Sequence, residues 1–270
     1  MGHAPGRVAE FDKNLQLVAE YPATPPDDGF NPHGIDIRPE LNLMVTSDFV
    51  CPATTLLAIP DGVDFRGSIR VWDLSQKTIL RTIALPDSGG SIDVKLIPGD
   101  PDARGYTAGM LDDRLYLIDP NAGTATPVFD FGGIQKGGWP QLMRINRDGT
   151  RLFITLNQAG KVVMFDIADP AKPRVLRVLD LGPGSGPHYL RLTEDERRLV
   201  VSDYFLNEQS ARGGRSHRAC GSRGARRYRT GPAVPRRLQY GVPHRPGAPA
   251  RLGLQIANSV RPRPGKELTT

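Results

Sequence analysis

His33 and His188 stand at matching places in two copies of one sequence pattern, and imidazole is the side chain that most often ligates a metal. Copies of the pattern begin at positions 33, 91, 141 and 188, so their opening residues are His33, Ser91, Gln141 and His188. Imidazole nitrogens suit copper, zinc and iron, and metal ligation is the chemistry such a polar set could perform if the four openings faced one another. The plainer alternative is that each histidine bridges loop backbone. Asp36, Asp48, Asp93 and Asp203 are further candidates for acid or base work, set against the common role of aspartate at strand ends in binding local backbone. Cys51 is expected to be an idle buried thiol, since no base adjoins it. No Gly-rich phosphate loop, nucleophile elbow or HExxH pattern occurs, and the sequence names no catalytic residue.

The elements that must gather these residues are strands. In residues 140–166, PQLMRINRDGTRLFITLNQAGKVVMFD, an apolar strand runs into a tight turn at Asp148-Gly149. A second strand follows over 151–155, then a turn at Gln158-Ala159-Gly160, and a third strand over 161–166 rich in Val and Phe. PHYLRLTEDERRLVVSDY, from position 187, matches its first eighteen residues position for position. NPHGIDIRPELNLMVTSDF is a third copy with a shorter turn, and SIDVKLIPGDPDARGYTAG is a looser fourth with a swollen one. The spacings of 58, 50 and 47 residues between starts lie in or near the roughly 40 to 50 residues of a four-stranded propeller blade. Outer strands recur as GSIRVWD, RLYLID and KVVMFD, each ending in an aspartate before a turn. Further apolar strands follow, such as residues 79–85 and 175–181. The expectation is an all-β chain, a β-propeller with about four blades in residues 22–208. The start of each innermost strand then lies beside the central channel. Trp72 and Trp139 are expected to pack rather than react.

Closed propellers have typically 4 to 8 blades, so about four long blades read as an incomplete ring. Residues 1–21 agree: RVAEFDKNLQLVAEYP resembles the outer strands of a blade whose inner strands are missing. The composition breaks near position 208. Residues 1–208 hold 21 Lys plus Arg against 28 Asp plus Glu, whereas residues 209–270 hold 14 against 1. The basic tail has no period of 2 or 3.6, and its few aromatics, Tyr228 and Tyr240, offer little platform for stacking bases. Neither nucleic acid nor membrane is an expected partner. The tail reads as disordered and off-frame. Shifted by one base, the codons permitted for residues 238–255 allow a peptide containing Pro-His-Gly-Leu, close to Pro32-His33-Gly34-Ile35. With only Cys51 and Cys220, a disulfide framework is not expected and no zinc spacing is present. The N-terminus carries no apolar signal core, so the chain as written reads as cytoplasmic, with a periplasmic place open to an intact homologue.

NPHGIDIRPELNLMVTSDFVCPATTL, GSIRVWDLSQKTILRTIAL, PDARGYTAGMLDDRLYLID, RLFITLNQAGKVVMFDIADPAKPRVLRVLDLG and PHYLRLTEDERRLVVSDYFLNE resemble, in that order, the second half of the selenium-binding protein family, which includes methanethiol oxidase. The resemblance implies a seven- or eight-bladed propeller. In its oxidase members copper serves the oxidation of a small thiol, methanethiol, with O2 to formaldehyde, hydrogen sulfide and hydrogen peroxide. It implies metal-ligand roles for His33, in its Pro-His-Gly context, and for His188, and selenium binding in intact members. The family's Cys-containing region is absent, as is the blade that the tail replaces, so this chain is expected to be inactive. A non-catalytic binding scaffold and a propeller hydrolase of the lactonase type are the rival readings. Sequencing the gene with its upstream flank is expected to reveal the missing blades upstream and the shifted end downstream; DNA whose native frame encodes the arginine-rich terminus overturns that reading.

Overall fold

The computed structural model of the protein describes residues 5–54, 62–86, 89–182 and 184–204. All belong to the first of the two units, residues 1–226 and 227–270, into which the chain divides. The tail of residues 209–270, expected to be off-frame, lies outside the described residues, as does Cys220.

The chain opens with a two-stranded antiparallel sheet of β1 (Val8–Phe11) and β2 (Leu17–Tyr21). Three four-stranded antiparallel sheets follow. The first holds β3 (Pro32–Arg38), β4 (Leu43–Val50), β5 (Phe65–Asp73) and β6 (Thr78–Ala84) in that order. The second holds β7 (Val94–Leu96), β8 (Gly105–Gly109), β9 (Arg114–Asp119) and β10 (Thr124–Asp130). The third holds β11 (Pro140–Ile145), β12 (Arg151–Leu156), β13 (Lys161–Asp166) and β14 (Arg174–Asp180). A last pair, β15 (Pro187–Leu192) and β16 (Leu199–Asp203), ends the described residues. The expected fourth blade is thus represented there by its two inner strands, and no ring closes among the described residues.

Each sheet is a meander because its turns are tight and locally satisfied. Asp12, Asp73, Asp119 and Asp166 close the third strand of their sheets, or its counterpart β1. Each turns its Oδ1 onto backbone N–H groups of the following turn, the local role that short acidic side chains favour. Gly149 and Gly160 take positive φ of 72° and 61° in the turns of the third sheet, where a side chain would be strained.

The core lies between sheets and not within any one of them. Val45, Ile69, Val71 and Ile83 of the first sheet meet Val94, Leu96, Tyr116 and Ile118 of the second. Tyr106, Ala108 and Leu115 of the second meet Met143, Leu152, Ile154 and Phe165 of the third. Tyr21 and Phe30 cover Met44 and Trp72 at the outer end of the first sheet, with Val8 and Ala19 against them, so β1–β2 occupies the place of a preceding blade. Buried polar groups lock the first sheet to its entering loop. Asp48 and Arg70 pair at 2.7 Å with side chains 0% and 4% exposed, and Arg70 also holds Asp27 of the entering loop at 2.7 Å. Breaking such a pair strands a buried charge at a cost of about 3–5 kcal/mol.

The loop from the first sheet to the second is held by Tyr116, whose hydroxyl lies 2.8 Å from the Pro86 carbonyl and also bonds Asp112. The single hydroxyl proton of Tyr116 is shared between two acceptors, the Pro86 carbonyl and Asp112 Oδ2. Burial pushes Asp112 up from 3.8 to about 6, and its Oδ1 has no hydrogen-bond partner. A raised folded-state value means that folding favours the protonated acid. The stabilisation is complete below the ordinary value and is lost as pH rises through the folded one. Urea unfolding is therefore expected to show the wild type losing stability relative to Asp112→Asn as pH rises from about 4 to about 7; parallel pH profiles for the two proteins contradict a raised Asp112 pKa.

Candidate functional site

Three inner strands begin with the same device. Pro32, Pro140 and Pro187 open β3, β11 and β15, and the residue after each proline is His33, Gln141 or His188. Proline donates nothing to a ladder, and the pairing register slips just beyond it in all three: between Pro32 and Ile35, Pro140 and Met143, and Pro187 and Tyr189. A slip of this kind re-aims a side chain out of the normal alternation. The second sheet lacks the device. Ser91 precedes β7 by three residues, is fully buried, and bonds the Thr107 hydroxyl at 2.7 Å. Of the four openings expected to face one another, Ser91 is turned away into its own sheet.

The innermost strands of all four repeats line one cavity of about 610 Å³, with His33, Asp36, Asp93, Lys95, Arg144 and His188 among its walls. Neighbouring sheets are tied around it by side chains that accept from or donate to backbone. Asp36 Oδ2 accepts from Leu96 N at 2.8 Å, Asp93 Oδ2 accepts from Met143 N at 3.0 Å, and the Thr155 hydroxyl donates to His188 O at 3.0 Å. Asp93 Oδ1 meets Lys95 Nζ at 2.6 Å. These carboxylates are engaged in joining sheets. Burial raises the Asp36 carboxyl, with the Leu96 N–H and Lys95 pulling the other way. Asp48 is enclosed by Arg70 and Ser68, and Asp203 is exposed at the end of β16.

His33 reaches the second sheet through Nδ1, 2.7 Å from Ile92 O. A carbonyl oxygen only accepts, so Nδ1 carries a proton, and in the neutral ring Nε2 is the nitrogen with the lone pair. Gly34 makes the approach possible: a Cβ there would lie 2.7 Å from both Asp93 Cα and Ser47 Oγ. Ser47 joins the arrangement by accepting from Gly34 N at 3.0 Å and donating to Ile92 O at 3.1 Å. His188 repeats the logic with a side chain: its Nδ1 lies 2.6 Å from Gln141 Oε1, while Gln141 Nε2 faces the Met110 sulfur at 3.8 Å. Gln141 is 1% exposed, so its carbonyl is a fixed acceptor. Each ring also rests on an aromatic neighbour, His33 on Phe49 at 5.2 Å and His188 on Tyr204 at 4.9 Å between centroids. Burial, and then the charge a protonated His33 carries, lower the His188 pKa against the opposing pull of Asp93, which favours a neutral His188.

Two imidazoles whose Nδ1 protons are held by fixed oxygens, with Nε2 unbonded among the described residues, have the form in which histidine ligates a metal. Among the described residues no group of three or more His, Cys, Asp or Glu is placed to hold one. Two imidazoles line the cavity, and the described residues supply no third donor beside them. Cys51 is 1% exposed and does not line the cavity, so it adds nothing to the site. The sequence singled out His33, His188 and Gln141 by their repeat position, but not the ties that orient them. Gln141 is a positioning residue that sequence reasoning treated only as part of a polar ring. The shared proline before each of the three was the available signal.

No protein-family model matches the chain, and none of the curated proteins does. Solved structures do. A hypothetical selenium-binding protein from Sulfolobus tokodaii is similar at 17% identity and a TM-score of 0.63, over 76% of this chain and 53% of that one. The β-propeller domain of Cps50 (Swd1) from Myceliophteria thermophila is similar at 14% identity and a TM-score of 0.53, over 75% of this chain and 57% of that one. Hydrazine synthase from Kuenenia stuttgartiensis is similar at 17% identity and a TM-score of 0.53, over 73% and 49%. The fold is that of a β-propeller. At these identities the likeness carries the fold alone, and the chain spans about half the length of the structures it matches. Within that fold the sheets are blades and the cavity is the channel side of their inner strands.

The tautomers can be read directly. At a pH where imidazole is neutral, nitrogen-detected NMR is expected to place the proton of His33 and of His188 on Nδ1. Replacement of Gln141 by Leu is expected to shift the His188 ring toward the other tautomer while leaving His33 unchanged; an Nε2-protonated His33 contradicts the bond to Ile92.

Proposed function

We propose that this chain contributes part of a copper-binding channel in a selenium-binding-type propeller, with His33 and His188 as the imidazole ligands it supplies. The observation that carries the reading is the pairing of the two rings in one cavity, each with Nδ1 held by an oxygen and Nε2 left to ligate. The likeness to the Sulfolobus tokodaii selenium-binding protein supports it at the level of fold. Copper would supply there the one-electron and O2 chemistry that ordinary side chains cannot perform. Oxidation of a small thiol such as methanethiol is proposed for the closed ring and not for a single copy of this chain.

The chain's own residues orient and exclude. Ile92 O and Gln141 Oε1 fix the two ring planes, Phe49 and Tyr204 cover one side of each ring, and Gly34 keeps the first two inner strands in contact. Asp36 and Asp93 are engaged in joining blades, each accepting a backbone N–H from the next one, and Asp93 also meets Lys95. That arrangement also weighs against the lactonase-type reading, which needs free carboxylates converging on the channel.

The test is metal content and affinity. Protein produced under copper-replete conditions is expected to retain copper, with His33→Ala and His188→Ala each binding more weakly. Gln141→Leu is expected to lose about tenfold in affinity, as removal of a ligand's orienting partner does elsewhere. Wild-type protein that takes up no copper under these conditions overturns the proposal.

A further inference from the structure

The two incomplete sheets are complementary halves of one blade. In the third sheet the second strand meets the third in the register Arg151↔Asp166, Leu152↔Phe165, Phe153↔Met164, Ile154↔Val163. β15 and β16 pair as β11 and β12 do, with Leu192↔Leu199 in the place of Ile145↔Leu152. They are therefore a first and a second strand. β1 and β2 are a third and a fourth. RVAEFD lines up with KVVMFD, and the register slip between Glu10 and Phe11 falls where β13–β14 slips between Met164 and Phe165 and β5–β6 between Val71 and Trp72.

Both halves show the faces and edges that a complete blade covers. Phe11 corresponds to Phe165 and Trp72, which are fully buried, yet Phe11 is 53% exposed. Leu199 and Val201 correspond to Leu152 and Ile154, which are also fully buried, yet they are only half-buried and Val200 is 59% exposed. Laid in the register of the third sheet, β16 against β1 places Leu199 opposite Phe11 and Arg198 opposite Asp12, with Asp203 opposite Arg7 at the other end. The charges match at both ends of the ladder. The first of these pairs copies the Arg151–Asp166 ion pair of the third sheet at 3.2 Å.

We propose that two copies of this chain join head to tail, β16 of each pairing with β1 of the other, so that each junction is a four-stranded blade in the order β15-β16-β1-β2. Among the described residues each copy carries three complete sheets and both halves of a fourth. A two-fold dimer therefore contains eight blades, a number at which propellers close. The contact is between unlike ends, and such contacts form a ring where the rotation closes and a filament where it does not. The match to about half of the Sulfolobus tokodaii chain, 53%, agrees with a half-ring. The channel then receives His33 and His188 from both copies, so the cavity is incomplete without the partner. The dimer does not depend on copper.

The full chain is to be weighed in solution by light scattering and sedimentation over a wide concentration range, without added metal. Dimer is expected. Phe11→Asp disables one end and Val200→Asp the other, both at exposed positions, and each variant alone is expected to be monomeric. Mixing the two restores one intact junction and is expected to give a heterodimer, weaker than the wild-type dimer by at least tenfold. A wild type that stays monomeric, a dimer that survives either substitution, a mixture that fails to associate, or assembly into open polymers overturns the proposal. The first of these outcomes would mean that other chain segments meet the two edges.

Discussion

A sheet with apolar side chains on both faces has to be covered twice, and every layer of this molecule answers to that demand. Val45, Ile69 and Val71 have no core of their own; they become interior only when Val94, Tyr116 and Ile118 of the next sheet arrive. Burial of one such side chain is worth roughly 1.5–3 kcal/mol, so each blade contributes to the stability of its neighbours more than to its own. Stacking of sheets face to face is the general solution. Here the inner strands add a directional element, since Asp36 and Asp93 fix the rotation of one blade on the next by accepting particular backbone N–H groups.

That coupling is also why the cavity has chemical character. The strands converge at their first residues, and the carboxylates nearest the centre are already bonded to backbone or to Lys95. Among the described residues the imidazole Nε2 atoms at the channel are left without a hydrogen bond. The oxygens that hold the two Nδ1 protons come from different blades than the rings they hold: Ile92 for His33, and Gln141 for His188. The orientation of each histidine is thus a property of an interface between blades. It would not survive in an isolated repeat.

The meander was legible in the sequence because its signals are local. Alternation, Asp-Gly turns and the aspartate ending each third strand are all contained within a few residues. The bounds Arg114–Asp119 and Lys161–Asp166 were read from them unchanged. The second blade was the weakest copy, and there the reading of Ser91 as a channel residue failed. Ser91 lacks the preceding proline, sits outside the strand, and finds Thr107 instead. The repeat set Gln141 in the same ring of openings as His188, and bridging of loop backbone was the plainer expectation for His33, but the particular bonds were not legible. His33 and Ile92 are 59 positions apart, and His188 and Gln141 are 47 apart; no window of sequence relates them, because only the stacking of blades does. The need for glycine at position 34 is hidden in the same way, since the atoms a Cβ would strike belong to Asp93 and Ser47.

The slip of register after Pro32, Pro140 and Pro187 leaves one residue in each inner strand outside the ladder. Such a residue has no fixed partner across the strand to offend, and its backbone is already excused from the pleat. Exchanging it alters what the rim offers while the meander behind it stands. His, Gln and His at these three slots are what that freedom looks like after the repeats diverged. A scaffold copied from one unit could in this manner acquire an unlike inner face one slot at a time.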